Sequence, residues 1–319
     1  MSAFIFAPGE GMTLSLHQCS CCESYLEKTD VSHLLFDVFR KWEAHGVALS
    51  RDTWADYPDN ILLTLHQCMT CGFGVFLPLT TGSEAFYTDI TRNEYYLMDR
   101  WDFHVAIKAL RLTKARSVLD VGCGKGAFLE MVTKQLPNVM CHGADANPAI
   151  RDTLPKGVKL HIHLSDAPVG FDAVTFFQVI EHVADPVRLL KECIAKVNPG
   201  GIVMVSVPDH SGPVRFFADS HTAIPPHHVS IWTPESLNSL LNRLGLNVLE
   251  KKREPLPDYL MPFYLPKILS KKFGLNSLKG EGMVKRYCAD PVVHLCQKLK
   301  IKYLPLRGHT YLAVAQKRG

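Results

Sequence analysis

The stretch from Ser117 to Val132 constrains the fold of this chain more than any other part of the sequence. It reads SVLDVGCGKGAFLEMV, in which an apolar run precedes three closely spaced glycines and a second apolar segment follows them. Strand, glycine turn and helix in this order form the first βα unit of a nucleotide-binding α/β sheet. Gly122, Gly124 and Gly126 allow a ligand to approach the backbone closely. The spacing also fits the dinucleotide fingerprint, so this loop alone leaves the ligand open.

Acidic residues stand at the ends of the first two strands that the sequence predicts. Asp120 precedes the first glycine, where a buried carboxylate would repel a pyrophosphate but could bind an ammonium group. The second predicted strand, Val139 to Asp145, ends in a carboxylate that can accept hydrogen bonds from both hydroxyls of a ribose. Phe171 to His182 and Val197 to Val207 read as further strands of the same sheet.

Four sequence pieces between about residues 117 and 208 together resemble a class I S-adenosylmethionine-dependent methyltransferase. They are VLDVGCGKG, GADANP, FDAVTFFQVIEHVADP and VNPGGIVMVSVP, in that order. The resemblance implies an α/β, Rossmann-like fold with a seven-stranded doubly wound sheet, and S-adenosylmethionine across the carboxyl ends of the first strands. The residues expected at the cofactor are Asp120, Gly122, Cys123, Gly124, Gly126, Asp145, Asp166, Gln178, Val179 and Glu181. Among these, Gly122 to Gly124 would follow the methionine part, Asp166 would lie near the adenine, and Gln178 and Val179 would border the methyl group.

A short repeat near the N-terminus predicts a metal site. Leu14 to Cys22 reads LSLHQCSCC and Leu63 to Cys71 reads LTLHQCMTC. Two Cys-x-x-Cys pairs supply the four thiolates of a tetrahedral structural zinc site and leave no open position for chemistry. We expect the zinc ligands to be Cys19, Cys22, Cys68 and Cys71. Cys21 could replace Cys22, and His17 or His66 could replace a thiolate. The pairs are far apart for a zinc ribbon, so we expect a helical insertion near Val31 to His45.

This module, followed by the central motifs, is similar to bacterial sugar C-methyltransferases that act on nucleotide-linked deoxysugars. Those enzymes carry a Tyr-rich segment between the two parts, and here Phe86 to His104 reads FYTDITRNEYYLMDRWDFH. The resemblance implies that Tyr87, Tyr95 and Tyr96 close over cofactor or substrate, and we assign Tyr96 to the cofactor. The sugar enzymes also carry a substantial C-terminal domain, which has no evident counterpart here. This departure argues against restricting the acceptor to a sugar but not against methyl transfer, and we expect a sugar, a polyketide or a similar hydroxylated metabolite.

Methyl transfer needs an aligned acceptor and often a base, and histidine titrates in a suitable range. Glu181-His182 follows the fourth predicted strand, and Ile224 to Trp232 reads IPPHHVSIW. We rank His228 first as general base, His182 second and His227 third. Glu181 would orient a histidine or contact the cofactor.

The C-terminal part of the sequence differs from the rest in charge. Residues 251–319 hold 15 basic and 4 acidic residues, a balance of +11, whereas residues 1–250 have a balance of −7. About 55 residues separate the sixth predicted strand, Leu246 to Lys252, from the last one, near Thr310 to Ala315. This insertion would form a helical cap on the core, a lid over an apolar or lipid-linked substrate, or a segment on an anionic membrane surface.

We therefore expect four regions: a zinc-binding module with a helical insertion (1–82), a methyltransferase core (83–252), a basic and apolar inserted cap (253–306) and the last core strand (307–319). The expected activity is methyl transfer to oxygen or carbon of a small or carrier-linked metabolite. Alternatives are an rRNA or tRNA methyltransferase with a zinc module, disfavoured by the acidic body, and a non-catalytic methyltransferase-like binding protein. No apolar run reaches the ~18 residues that span a bilayer, and no signal peptide is evident, so we expect a cytoplasmic protein.

Overall fold

A computed structural model describes residues 18–92, 99–274 and 282–319. Within these residues the chain forms two β-sheets and helices that pack against them. The strands are β1 (Leu26–Leu34), β2 (Leu62–Cys68), β3 (Gly74–Leu77), β4 (Ser117–Val121), β5 (Met140–Ala144), β6 (Lys159–His161), β7 (Phe171–Phe177), β8 (Val197–Pro208), β9 (Ser230–Ile231), β10 (Leu246–Pro257) and β11 (Tyr303–Lys317). The helices are α1 (Leu35–Ala44), α2 (Arg51–Ala55), α3 (Glu84–Thr91), α4 (Trp101–Leu112), α5 (Ala127–Gln135), α6 (Pro186–Lys196), α7 (Pro234–Arg243), α8 (Met261–Lys272) and α9 (Asp290–Lys298).

The larger sheet has seven strands in the order β6-β5-β4-β7-β8-β11-β10. The five strands from β6 to β8 are parallel, and β11 is antiparallel to both of its neighbours. All five residues of β4 are buried, as expected for a central strand covered on both faces. Because the carboxyl ends of parallel strands meet at one edge, the residues that follow β4, β5, β7 and β8 converge there. The predicted α/β, doubly wound, seven-stranded fold is confirmed.

Helices cover the seven-stranded sheet on both faces. Apolar residues of α4 and α5 pack on one face in a cluster that includes Phe103, Leu110 and Phe128. Apolar residues of α6 and α7 pack on the other face in a cluster that includes Leu190 and Leu240. No helix of the described residues combines the length and apolar character needed to cross a bilayer.

The N-terminal module is joined to the core through a shared sheet. The smaller, antiparallel sheet has the order β1-β2-β3-β9. Its first three strands come from the N-terminal module, but β9 belongs to the segment that follows β8. The pairing joins Gly74 to Ile231 and Val75 to Ser230. The module therefore packs as part of the same body as the core.

The insertion between β10 and β11 forms a cap with a small hydrophobic core of its own. Helix α8 and helix α9, which follows a π-helical turn at Lys285–Ala289, bury Met261, Leu265 and Val293 among the residues of this cluster. The cap also packs against the 3₁₀ turn Pro213–Phe217.

Some expected element bounds differ from the structure. The helix expected from Val31 begins at Leu35, because residues 31–34 continue strand β1. The fourth core strand ends at Phe177 rather than His182, since Gln178 has a left-handed backbone with φ of 58°. The sixth core strand runs on to Pro257, and the last begins at Tyr303.

Candidate active site and cysteine cluster

The glycine loop after β4 has a backbone that requires its three glycines. Gly122, Gly124 and Gly126 all have positive φ, at 71°, 51° and 80°, which other residues adopt with strain. A Cβ at Gly122 would lie 2.6 Å from Cγ2 of Val179. Val179 is thus buried beneath the loop and supports it, rather than lining the cavity described below.

Two carboxylates lie at the carboxyl ends of β4 and β5, as predicted. Asp145 accepts hydrogen bonds from the backbone N–H of Gly124 (2.9 Å) and of Asn147 (3.0 Å), which bind it to the glycine loop. Asp120 accepts a hydrogen bond from the hydroxyl of Thr175 at 2.6 Å. Burial raises the pKa of Asp120 to about 7 and that of Asp145 above its usual value. Both oxygens of Asp145 keep a lone pair for a further donor.

A cavity of about 570 Å³ opens at this edge of the sheet. Its size suits a ligand of cofactor dimensions plus a small acceptor. One side is formed by the ends of β4 and β7, including Asp120, Gly122, Cys123 and Gln178. The other side is formed by a histidine cluster and by the cap residues Leu260, Phe263 and Tyr264. The cap is therefore part of the wall of this cavity.

His182 and the adjacent pair His227 and His228, which follows it by 45 residues, meet in the cavity wall. The ring of His182 lies 4.4 Å from that of His227 and 4.7 Å from that of His228, centroid to centroid. Nδ1 of His182 donates to the carbonyl oxygen of His227 at 2.8 Å, so Nε2 is its basic nitrogen. Burial lowers the pKa of His182 to about 3 and that of His228 well below 6.5. Both rings are therefore neutral at physiological pH.

Of the three histidines, His228 is the least buried residue. Its Nδ1 has no hydrogen-bond partner among the described residues, and its ring is only partly buried. Nε2 of His182 instead lies 3.9 Å from Oε1 of Glu181. Neither oxygen of Glu181 has a hydrogen-bond partner in the described part of the chain, and burial raises its pKa to about 8. Glu181 lies behind His182 and does not line the cavity.

Arg100 is a cavity residue that the sequence analysis missed. Its Nε and Nη2 donate to the two oxygens of Asp102 at 3.0 Å and 2.6 Å. Asp102 also accepts from the hydroxyl of Ser206 at 2.7 Å, and both Arg100 and Asp102 are largely shielded from solvent. A single arginine just before a helix is not a motif, so only the topology reveals that it faces the glycine loop's cavity.

Tyr87, Asp166, Tyr95 and Tyr96 were also expected near the cofactor or the substrate. Tyr87, which lies 3.5 Å from Nδ1 of His182, lines the cavity. Asp166 is exposed on a turn after β6 and does not line it. Tyr95 and Tyr96 lie outside the described residues.

The four predicted zinc ligands form one cluster. The Sγ atoms of Cys19, Cys22, Cys68 and Cys71 all lie within 4.8 Å of one another. The closest pairs are Cys22–Cys68 at 3.4 Å and Cys19–Cys71 at 3.6 Å. Zn–S bonds of about 2.3 Å in a tetrahedron place sulfur atoms roughly 3.8 Å apart, so the cluster fits zinc.

Of the alternative ligands, Cys21 lies beside this cluster, although it is not one of the four mutually close thiols. Cys21 is buried, its thiol interacts with the thiols of Cys19 and Cys71, and its backbone N–H donates to Sγ of Cys19 at 3.4 Å. His66 instead pairs with the carbonyl oxygen of Thr64, and His17 lies outside the described residues.

Comparisons with known proteins agree on the central region. Residues 93–251 match a family model described as "Methyltransferase domain". The "Probable S-adenosylmethionine-dependent methyltransferase" of Mycolicibacterium smegmatis is 30% identical over 140 residues, which cover 42% of this chain and 52% of that protein. The "Ubiquinone biosynthesis O-methyltransferase" of Aliivibrio fischeri is 35% identical over 101 residues, covering 28% and 43%. The chain thus matches only about half the length of these relatives.

Solved structures that match the chain include the plantazolicin methyltransferase BpumL in complex with a monoazolic desmethylPZN analog and SAH, at 15% identity and a TM-score of 0.43, covering 68% of this chain and 85% of that one. The YcgJ protein of Bacillus has 16% identity and a TM-score of 0.45, covering 68% and 98%. At such low identity these similarities concern the fold alone.

Proposed function

Since residues 93–251 carry a methyltransferase domain, we propose that the chain is an S-adenosylmethionine-dependent methyltransferase acting on oxygen or carbon of a small or carrier-linked metabolite. The observation that carries this proposal is the single cavity with the glycine loop on one side and neutral, buried histidines on the other. Cofactor and acceptor would meet in it.

The residues around the glycine loop fit the cofactor. Asp145, fixed by two backbone N–H groups, would accept hydrogen bonds from the ribose hydroxyls. Arg100, held by Asp102, would pair with the carboxylate of the methionine part, and Asp120 would lie near its ammonium group. The bound cofactor supplies an electrophilic methyl group.

On the acceptor side, His228 would take the proton. Nδ1 of His228 is buried and has no partner in the described part of the chain, so it can accept a hydrogen bond from an acceptor hydroxyl or an acidic C–H. His182 and His227 would hold the acceptor in line, and Glu181 would orient His182. Phe263 and Tyr264 of the cap would exclude water and favour an acceptor with an apolar part.

The acceptor class follows from the chemistry of this wall. The cavity offers imidazole nitrogens and aromatic side chains, which suit a hydroxylated organic molecule. The Aliivibrio fischeri relative is named as an O-methyltransferase of ubiquinone biosynthesis. Phenols, deoxysugar nucleotides and polyketide lactones therefore form the first panel of acceptors, with release of S-adenosylhomocysteine as the readout.

The general base is tested with His228→Ala. We expect turnover of the best acceptor in the panel to fall at least about 100-fold, the usual worth of general base catalysis, while calorimetry gives an unchanged affinity for S-adenosylhomocysteine. His221→Ala is the matched control, because His221 lies on the same loop but does not line the cavity. Undiminished turnover of His228→Ala would contradict the assignment.

Two further outcomes separate the competing functions. The ring nitrogens of His182, His227 and His228 lie within 4.8 Å of one another, so they could also hold a divalent ion. If a chelator abolishes turnover while the cysteine-bound metal is retained, the histidines would act by holding a metal ion rather than by removing a proton. Failure to bind either S-adenosylmethionine or S-adenosylhomocysteine would instead indicate a non-catalytic protein.

We also propose that the cysteine cluster holds a structural zinc ion. Its four thiolates would leave no coordination position for substrate. The ion would connect the first Cys pair, before β1, to the hairpin between β2 and β3.

A further inference from the structure

The segment 253–306, which comprises the cap and the adjoining ends of β10 and β11, has an unusual share of the exposed apolar surface. Ten of the twenty large hydrophobic residues that are exposed in the described part of the chain lie in this segment, which is about a sixth of the protein. They are Tyr259, Phe263, Phe273, Met283, Tyr287, Val292, Leu295, Leu299, Tyr303 and Leu306. In α9 and its C-cap, Val292, Leu295 and Leu299 follow an i, i+3, i+7 spacing, so they form one exposed apolar stripe. Scattered exposed leucines are ordinary, but a concentration of this kind marks a contact surface.

Six basic side chains of the cap and of the start of β11 have no acidic partner among the described residues. None of them forms an ion pair with any described residue, although the rest of the chain pairs many of its arginines and lysines. These residues are Lys271, Lys272, Lys298, Lys300, Lys302 and Arg307. Uncompensated positive charge next to exposed apolar groups is the composition of a surface that binds anionic amphiphiles.

A groove of about 350 Å³ lies at one end of this surface, separate from the active-site cavity. Its walls include the apolar side chains of Phe216, Ile268 and Leu306. Four cations surround it, namely Arg215, Lys271, Lys272 and Arg307. The ring of Phe216 lies 5.1 Å from the guanidinium of Arg215 and 6.0 Å from Nζ of Lys271. An apolar wall with cations around it suits a phosphate group joined to a hydrocarbon chain.

We propose that the cap is a docking surface for an anionic lipid bilayer, with a lipid hydrocarbon chain in the groove between α8 and the Pro213–Phe217 turn and its phosphate beside the surrounding cations. Charge complementarity selects this occupant. A second copy of the chain paired cap to cap by a twofold axis would bring its own positive cap against this one. An RNA would satisfy the cations but would leave the aliphatic stripe of α9 in water.

Docking in this orientation would bring the active-site cavity to the membrane surface. Phe263 lines the cavity and is also 61% exposed, on the helix that carries Lys271 and Lys272. Residues 214 and 217 face the active-site cavity, whereas residues 215 and 216 of the same turn face the groove. If the proposed methyl transfer holds, the acceptor would be an amphiphile that enters from the bilayer, so this consequence depends on the proposed function, whereas docking does not.

The test is sedimentation of the full chain with vesicles. We expect the protein to pellet with phosphatidylcholine vesicles that contain about 30% phosphatidylglycerol, to stay in solution with phosphatidylcholine alone, and to dissociate as salt is raised. Each basic residue near an anionic surface contributes about fivefold to the partition coefficient. Replacing Lys271, Lys272 and Arg307 by Ala together should therefore lower it about 100-fold. Leu295→Ser with Leu299→Ser should weaken binding without changing its salt dependence.

The matched control replaces Lys108, Lys191 and Arg116 by Ala, because these exposed cations lie on the core and not on the cap. Circular dichroism melts of all variants check that the fold is kept. Equal binding to neutral vesicles, or full binding of the Lys271, Lys272 and Arg307 variant, would overturn the proposal. Binding of inorganic phosphate or of a homopolymeric RNA with no vesicle binding would assign the surface to those ligands instead. Because no acceptor or cofactor is present, a negative result here leaves the methyl-transfer assay untouched.

Discussion

Glu181 is buried beside His182, and neither of its carboxylate oxygens has a hydrogen-bond partner among the residues that the structure describes. Burial raises its pKa to about 8, from 4.5 in an unfolded chain. The folded state therefore binds a proton that the unfolded state releases between these two values. Stability from this group is complete below pH 4.5 and is lost as pH rises through about 8.

The upward direction of this pKa shift gives a prediction for Glu181→Gln. In the wild-type chain, Glu181 should lower the free energy of unfolding by about 3 kcal/mol between pH 5 and pH 7.5, since one pKa unit corresponds to about 1.4 kcal/mol. The variant has no such titration, so its stability should fall less over this range. Urea unfolding at both pH values measures the difference, and parallel pH profiles of the two proteins would refute it.

The residues whose place in the sheet could be predicted from the sequence share one property, which is that they lie at or next to strand ends. Asp120, Gly122 and Asp145 were predicted because parallel strands bring such residues to one edge regardless of the loops. The sequence indicates that His182 and His228 lie close together, but it does not give their distance, because the geometry of the loop sets that distance. Arg100 could not be predicted, since its pairing with Asp102 and Ser206 depends on how α4 packs on the sheet.

At the scale of elements, α7 connects the seven-stranded sheet to the cysteine cluster. Thr233 is its N-cap: Oγ1 accepts from the backbone N–H of Ser236 at 3.1 Å and donates to the carbonyl oxygen of Cys71 at 2.6 Å. A Cβ at Gly72 would lie 2.8 Å from Cγ2 of Thr233. One hydroxyl thus ends the second Cys-x-x-Cys turn and begins a core helix.

Thr233→Val keeps the shape of the side chain but loses both hydrogen bonds. We expect it to lower the free energy of unfolding by about 1–2 kcal/mol, the usual cost of losing an N-cap. Thr233→Ser keeps the hydroxyl and should cost less than about 0.5 kcal/mol. Equal stability of the two variants in urea would show that the cap contributes nothing.

At the scale of the whole molecule, the cysteine cluster and the core share one buried cluster, so we expect them to unfold together. Cys19, Cys68 and Cys71 belong to the same buried cluster as Val174 and Leu240, which lie in the seven-stranded sheet and on α7. The small sheet also takes its fourth strand from the core. A substitution at the cysteines should therefore lower the stability of the whole chain.

The matching prediction concerns Cys68→Ser with Cys71→Ser. This variant should lose one zinc ion per chain, measured by elemental analysis. Its single unfolding transition should shift to lower temperature by about 5 °C or more, since bound metal contributes to folding free energy. Cys288→Ser, outside the cluster, is the control. Unchanged metal content, or a separate early transition for the N-terminal module, would contradict this view.

The two residues of β9 also fix an order of assembly. Strand β3 can pair with β9 only after Ile231 has left the ribosome, and Ile231 is synthesised more than 150 residues after its partner Gly74. Only then does the small sheet gain its fourth strand. Until then the edge of β3 presents open backbone groups, a feature that favours pairing with other chains. Two features limit that exposure. Strand β3 is short, and the four cysteines of the neighbouring cluster are all synthesised early, so they can bind metal before β9 is made. Completion of the sheet then fixes the segment directly after His227 and His228, so the N-terminal module is finished by the same event that sets the histidines in place.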